Sequence, residues 1–89
     1  MEFTPEYVEY MPPKEEMNPT KIYISRKFGC SIHLCACGCG EEACLDFKPF
    51  WKDGWDLIEK DGKVTFSPSI LNRFCGSHYF IRDNQVVWA

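Results

Sequence analysis

The sequence predicts a small all-β domain, a hairpin or meander fold of about six or seven short strands closed by a Cys/His metal site. Apolar and polar residues alternate in several short runs, and turn-forming residues separate these runs. No segment keeps the 3.6-residue period of a helix. The 89 residues suffice for a single domain, and a domain of this size often needs a metal or a disulfide to support a thin core.

Residues 1–20 are the least regular part of the chain. Their four prolines exclude a continuous helix, and only Tyr7–Tyr10 has the pattern of a short edge strand. We therefore predict an irregular N-terminal segment, residues 1–20, that packs on a β-rich metal-binding domain formed by residues 21–89. The first regular strand of that domain is predicted over Lys21–Ser25, where apolar residues alternate.

A cysteine-rich hairpin is predicted next. Cys30–Ala36 alternates again, the reversal CGCG is rich in glycine, and Glu42–Phe47 returns as the second strand. The cysteines would then lie at the tip of the hairpin. Residues 48–55 follow as an aromatic loop.

Two further hairpins complete the predicted fold. In the first, Asp61-Gly62 separates Trp55–Lys60 from Lys63–Phe66, which is the strongest short-range hairpin signal. In the second, a turn at Asp83-Asn84 separates His78–Arg82 from Gln85–Trp88. Between the two hairpins, Pro68 is predicted to end its strand, and a single helical turn is predicted around Ser69–Arg73.

Charge and hydropathy narrow the classes of partner. The net charge is -3 and basic residues are scattered, so we expect no nucleic-acid binding. No stretch reaches the ~18 apolar residues of a membrane span, and the acidic N-terminus does not resemble a signal peptide. We therefore expect a cytoplasmic protein without a membrane partner. Cysteines in that compartment are mostly reduced, which favours metal binding over disulfides.

The cysteines suggest a metal site made from two separated turns. The pattern is Cys-x-Cys-x-Cys followed later by Cys-x2-His, and glycines follow several of the cysteines, where the backbone must curl. Five residues are candidates for four ligand positions: Cys35, Cys37, Cys39, Cys75 and His78. The preferred set omits Cys35, which lies at the end of its strand and could instead replace Cys37 or Cys39, or donate to the site as a neighbouring thiol.

Zinc is the preferred ion, because a closed tetrahedral site of three cysteines and one histidine is typical of structural zinc. The alternative is a Rieske-like [2Fe–2S] cluster, whose ligand pairs also lie on hairpin tips. Cys30 and Cys44 are expected to be small packing residues, and His33 an ordinary strand residue.

No catalytic residue is predicted. Neither Ser67-Pro68-Ser69 nor Ser77-His78 forms a recognisable serine hydrolase motif, and we expect no pairing of a nucleophile with a base. A zinc-dependent hydrolase is kept as an alternative, but the chain lacks an HExxH-like pattern.

Three segments carry a resemblance to a small family of bacterial and phage proteins. They are HLCACGCG at 33–40, WDLIEKDGKVTFSPSI at 55–70 and CGSHYFIRDNQVVWA at 75–89, so the resemblance covers roughly residues 20–89. It implies metal binding through the motif cysteines and the terminal histidine, which correspond here to Cys35, Cys37, Cys39, Cys75 and His78. Cys30 and Cys44 do not belong to the motif. The resemblance carries no enzyme activity with it.

Some members of that family are encoded beside ubiquitin-like proteins and their activating and conjugating enzymes. The resemblance therefore implies an accessory role in such a system, with one of its components as a protein partner. Together with the motifs, this predicts a zinc-binding module that acts as a protein-binding adaptor. Phe50, Trp51 and Trp55 are candidate contact residues, because aromatic side chains are favoured at interfaces.

Overall fold

The computed structural model describes residues 1–89 and confirms the all-β class, with eight strands in two four-stranded sheets. The strands are β1 (Thr4–Tyr7), β2 (Lys21–Ser25), β3 (Cys30–Leu34), β4 (Glu42–Asp46), β5 (Asp56–Lys60), β6 (Lys63–Asn72), β7 (Ser77–Arg82) and β8 (Gln85–Trp88). The single helical element is a 3₁₀ turn at Lys14–Glu16. No helix is long and apolar enough to span a lipid bilayer.

The first sheet has the order β1-β2-β3-β4. β1 pairs parallel with β2, and β2, β3 and β4 form an antiparallel meander. The N-terminal strand is Thr4–Tyr7 and not the predicted Tyr7–Tyr10. Because β1 lies at the sheet edge, Pro5 is tolerated there. The preceding Phe3 is fully buried, so residues 1–20 contribute to the core, while the division of the chain at residue 20 stays a prediction.

The second sheet has the order β5-β6-β7-β8, all antiparallel, and confirms both predicted hairpins. Asp61 and Gly62 have φ values of 52° and 75° at the first turn, and Asp83 and Asn84 have 47° and 70° at the second. Two consecutive positive φ angles are the signature of a type I′ turn, whose twist matches that of the flanking strands.

β6 is longer than the sequence predicted. Pro68 does not end the strand, and no helical turn forms around Ser69–Arg73. The register is Phe66↔Ile81 and then Ile70↔Tyr79, so three residues of β6, 67–69, stand opposite a single residue of β7. Pro68 lies inside this bulge, where the ladder is interrupted and its missing N–H costs no hydrogen bond.

The core lies between the two sheets. Its largest members are Tyr79, Phe3, Phe66, Ile22, Ile24, Leu45 and Ile81. One polar contact crosses it, where His33 Nε2 on β3 lies 2.7 Å from the Tyr79 hydroxyl on β7. Burial lowers the pKa of His33 to about 4, so the imidazole is neutral and the two sheets share an uncharged hydrogen bond.

Candidate metal centre and serine–histidine pair

Four thiols meet where the turn between β3 and β4 approaches the turn between β6 and β7. The ligand atoms of Cys35, Cys37, Cys39 and Cys75 all lie within 4.8 Å of one another. Cys35 is buried and the other three are exposed. One hairpin tip from each sheet therefore supplies sulfur to the same point, and the cluster connects the two sheets.

The spacing of these sulfurs fits a tetrahedral metal site. The Sγ atoms of Cys35 and Cys37 are 3.6 Å apart, those of Cys35 and Cys75 3.7 Å, and those of Cys37 and Cys75 3.5 Å. Four sulfurs at about 2.3 Å from a central ion would be separated by about 3.8 Å, whereas a disulfide would bring two of them to about 2.05 Å. The thiols are therefore spaced for an ion and not for a bond between them.

The protonation of the thiols points the same way. The Ser77 hydroxyl and backbone N–H lower the pKa of Cys75, and the Ser77 hydroxyl also lowers the pKa of Cys37. The backbone N–H of Glu41 acts to lower the pKa of Cys39, but partial desolvation and the neighbouring sulfurs raise it to about 12. The neighbouring groups thus favour ionisation of Cys37 and Cys75 and oppose ionisation of Cys39, and a bound cation would offset that opposition.

Glycines allow the backbone to curl around the cluster. Gly38 and Gly40 have φ values of 87° and 84° on the first turn, and Gly76 has 74° on the second. A Cβ added at any of these positions would meet no atom within 4 Å, so the requirement for glycine is the positive φ and not space. The predicted reason for these glycines is confirmed.

The sequence candidates divide into those inside and those outside the cluster. Cys35, which the preferred set omitted, lies inside it, and His78 lies outside it. Cys30, Cys44 and His33 also lie outside. The structure thus assembles a four-cysteine group in place of three cysteines and a histidine, and metal binding by any of the five candidates stays a prediction.

His78 instead faces a serine. Its Nε2 lies 2.8 Å from the Ser69 Oγ, within hydrogen-bond distance. Ser69 stands at the end of the bulge in β6, and His78 on β7 is exposed. Leu71 pairs with His78 across the two strands, so Ser69, two residues earlier, lies on the same outer face of the second sheet.

Neighbouring side chains hold both members of this pair. The His78 ring stacks on Phe80 at a centroid distance of 6.3 Å and an interplanar angle of 30°, and the Arg82 guanidinium covers Phe80 at 4.3 Å. On the serine side, the Trp55 indole N–H donates to the Ser69 carbonyl oxygen at 3.4 Å. The pair is therefore built on strands and supported from both sides.

The contact between Ser69 and His78 was not predicted from the sequence, and the absence of a catalytic residue stays a prediction. Ser69 and His78 are nine residues apart and match no short motif. The missed signal was the β6–β7 hairpin: if β6 is extended beyond Pro68, its register places Ser69 and His78 on one face of neighbouring strands. Because the predicted strand ended at Pro68, the prediction placed Ser69 outside the sheet.

Fold and site together define a two-sheet β protein with a four-cysteine cluster beside an exposed serine–histidine pair. The model of the family described as "Bacterial ubiquitination-like system serine protease (BubE)" matches residues 7–89. The chain belongs to this family, which confirms the expected connection with a bacterial ubiquitin-like system. Comparisons with curated proteins and with solved structures gave no match.

Proposed function

We propose that this chain is a serine peptidase of a bacterial ubiquitin-like conjugation system, with Ser69 as the nucleophile and His78 as the general base. The observation that carries the proposal is the 2.8 Å separation of Ser69 Oγ and His78 Nε2. A nucleophile and a base within about 2.6–3.2 Å are the signature of covalent catalysis by serine. The description of the family supports the reaction class, a serine peptidase.

The geometry accommodates the ordinary chemistry of acyl transfer. With its proton on Nδ1, His78 accepts the Ser69 proton on Nε2 while Oγ attacks the scissile carbonyl, and it then gives that proton to the leaving amine. Water hydrolyses the resulting acyl-enzyme, again with His78 as the base. The pair lies on an exposed sheet face, which suits a chain segment of a protein substrate better than a small molecule.

The four-cysteine cluster would serve this chemistry as a structural zinc site. A closed set of four thiolates leaves the ion no open position, so it would stabilise the fold without activating water. Cys75 is three residues from His78, and its Sγ lies 3.1 Å from the Ser77 hydroxyl. The metal would therefore fix the start of β7, and with it the position of His78. Metal analysis and the absorption spectrum distinguish zinc from iron, because zinc gives a colourless protein.

Hydrolysis by matched serine variants tests the catalytic proposal. A fusion of a ubiquitin-like protein from such a system to a reporter is the substrate. Ser69→Ala should lower kcat/KM by at least about 10³-fold, as loss of a serine nucleophile does in other peptidases. Ser67→Ala, two residues away in the same bulge, is the control and should retain activity. Equal activity of the Ser69→Ala variant and the wild type would exclude this mechanism.

A second candidate is the protein-binding adaptor. The observation that favours it is the exposure of Phe50 and Trp51, 53% and 50%, on the loop between β4 and β5. If binding is the function, Trp51→Ala should lose one specific partner in a pull-down from the native host while its unfolding transition is unchanged. If the chain is a peptidase alone, Trp51→Ala should retain the partners of the wild type.

A further inference from the structure

A groove of about 270 Å³ lies between the two sheets, next to the strand that carries Ser69. β4 forms one wall, and the second half of β6 with the following turn forms the other. Most of its lining is apolar: Ala43, Cys44, Leu45, Trp55, Ile70, Leu71 and Phe74. Neither Ser69 nor His78 belongs to this lining, so the groove is a feature separate from the pair.

Both walls are free strand edges. β4 is the last strand of its sheet. Its outer edge is bonded only at its end, where the Asp46 carbonyl accepts from the Trp55 N–H, and is free before that point. β5 pairs with β6 only as far as Ser67, so β6 has no partner on that side from Pro68 onwards. A free edge presents unpaired backbone N–H and C=O groups, which is a template for the addition of another strand.

The hydrogen-bond alternation shows which backbone groups face the groove. The backbone carbonyl of His78 accepts from the Ala89 N–H, so the backbone polar groups of His78 point towards β8. Leu71, opposite His78, therefore directs its own N–H and C=O away from β7. On the other wall, Asp46 accepts from the Trp55 N–H, away from β3, and Cys44 has the same orientation. Leu71 and Cys44 therefore present backbone donors and acceptors to the groove from opposite sides.

Trp55 connects the groove to the serine. Its backbone N–H donates to the Asp46 carbonyl at 2.8 Å, and its indole N–H donates to the Ser69 carbonyl. It therefore bridges the two walls of the groove beside Ser69. Glu42 and Arg73, of opposite charge, lie among the lining residues, so the groove favours neither sign of charge.

We infer that this groove binds an uncharged, extended segment of the substrate protein next to the scissile bond, by strand addition. The inference rests on the proposed function, because it takes the Ser69–His78 pair as the point of cleavage. The backbone of the segment pairs with the edges at Leu71 and Cys44, and its apolar side chains contact the lining. Trp55 then directs the chain out of the groove at Ser69, two residues along β6 from Leu71.

Binding to an inactive variant tests this inference separately from catalysis. The probe is a fluorescein-labelled, uncharged hexapeptide of alternating leucine and threonine, measured by fluorescence anisotropy with the Ser69→Ala protein. A second peptide carries N-methyl groups on alternate amides, which removes donors but keeps the side chains. Two further variants carry Cys44→Trp, which fills the groove, or Cys30→Trp, which places the same bulk on the neighbouring strand outside the groove lining.

The expected results are specific to strand addition. Cys44→Trp and the N-methylated peptide should each weaken binding by about tenfold or more, since the indole blocks the groove and methylation removes backbone donors in a largely apolar site. The Cys30→Trp variant should bind the unmethylated peptide as tightly as the Ser69→Ala protein does. Equal binding of both peptides, or equal binding by both tryptophan variants, would overturn the inference. So would self-association through the groove, seen as a dimer that Cys44→Trp abolishes and the peptide does not compete with.

These outcomes are distinguishable from a failure of the proposed function. If Ser69→Ala hydrolyses the fusion protein as well as the wild type, the catalytic assignment fails, whatever the peptide does. If Ser69→Ala is inactive but the hexapeptide binds equally well to the Cys44→Trp and Cys30→Trp variants, the catalytic assignment stands and only strand addition in the groove fails.

Discussion

Substitution of Cys75 by serine should remove the metal and destabilise the domain strongly. Cys75 is the only member of the four-thiol cluster on the second sheet, and its partner Cys35 is 40 residues away in the chain. Without Cys75, an ion bound to the three remaining thiols would no longer connect the turn after β3 to the turn before β7. The variant therefore tests the connection between the sheets.

The size of the effect follows from the length of the closed loop. Closing a loop of 40 residues removes about 4 kcal/mol of unfolded-state entropy, as for any covalent connection of that length. A loss of about 4 kcal/mol lowers the unfolding midpoint of a domain of this size by roughly 15–30 °C. It is also a large part of the roughly 5–15 kcal/mol that stabilises a native domain.

Thermal unfolding followed by circular dichroism, with metal analysis of the same sample, measures this effect. Cys44→Ser is the matched control, because Cys44 is an exposed cysteine outside the cluster and should change the stability by less than about 1 kcal/mol. A chelator should lower the midpoint of the wild type and of Cys44→Ser, but not that of Cys75→Ser. If Cys75→Ser kept both its metal and its midpoint, the cluster would not be a metal site.

Further predictions concern the two histidines and a turn. His78→Ala should abolish hydrolysis and retain the metal, as metal analysis and the activity assay would show, and loss of the metal would make His78 a ligand and not a base. His33 has a pKa of about 4 in the folded state, below its usual value of about 6.5. Its contribution to the free energy of unfolding is therefore complete above pH 6.5 and is lost as the pH falls to 4. Unfolding midpoints of the wild type and His33→Asn should therefore converge over this range, and a constant difference would refute the assignment. Gly62→Ala should destabilise the protein by about 1 kcal/mol in chemical denaturation, because its φ is 75°, whereas a neutral effect would contradict the turn assignment.

Local sequence signals predicted most of the strands. The alternating runs of residues 21–25 and 42–47, and the turns at Asp61-Gly62 and Asp83-Asn84, depend on residues close in sequence, and the structure has them at or near the predicted positions. The parallel pairing of β1 with β2 was not predicted, because it depends on contacts between residues 17 positions apart. Nothing in the spacing of Thr4–Tyr7 indicates that pairing.

The metal centre was predicted only in part, because it too depends on contacts between residues that are distant in the sequence. The cysteine spacing and the glycines identified the turns that meet, but the choice among five candidate ligands depended on the direction of each side chain. Cys35 turns into the cluster and His78 projects from the outer face of the second sheet. The orientation of His78, like the approach of Ser69 to it, depends on the register of β6 beyond the bulge, which the sequence does not reveal locally.

Labelling with a fluorophosphonate probe tests the central claim most directly. The probe reacts with an activated serine hydroxyl and needs no knowledge of the substrate, and mass spectrometry locates the adduct. The wild type and the Ser67→Ala control should carry a single adduct on Ser69, and His78→Ala should react much more slowly, because Ser69 has lost its base. An adduct on another serine, or equal labelling of the Ser69→Ala variant, would contradict the assignment of Ser69 and His78 as the catalytic pair.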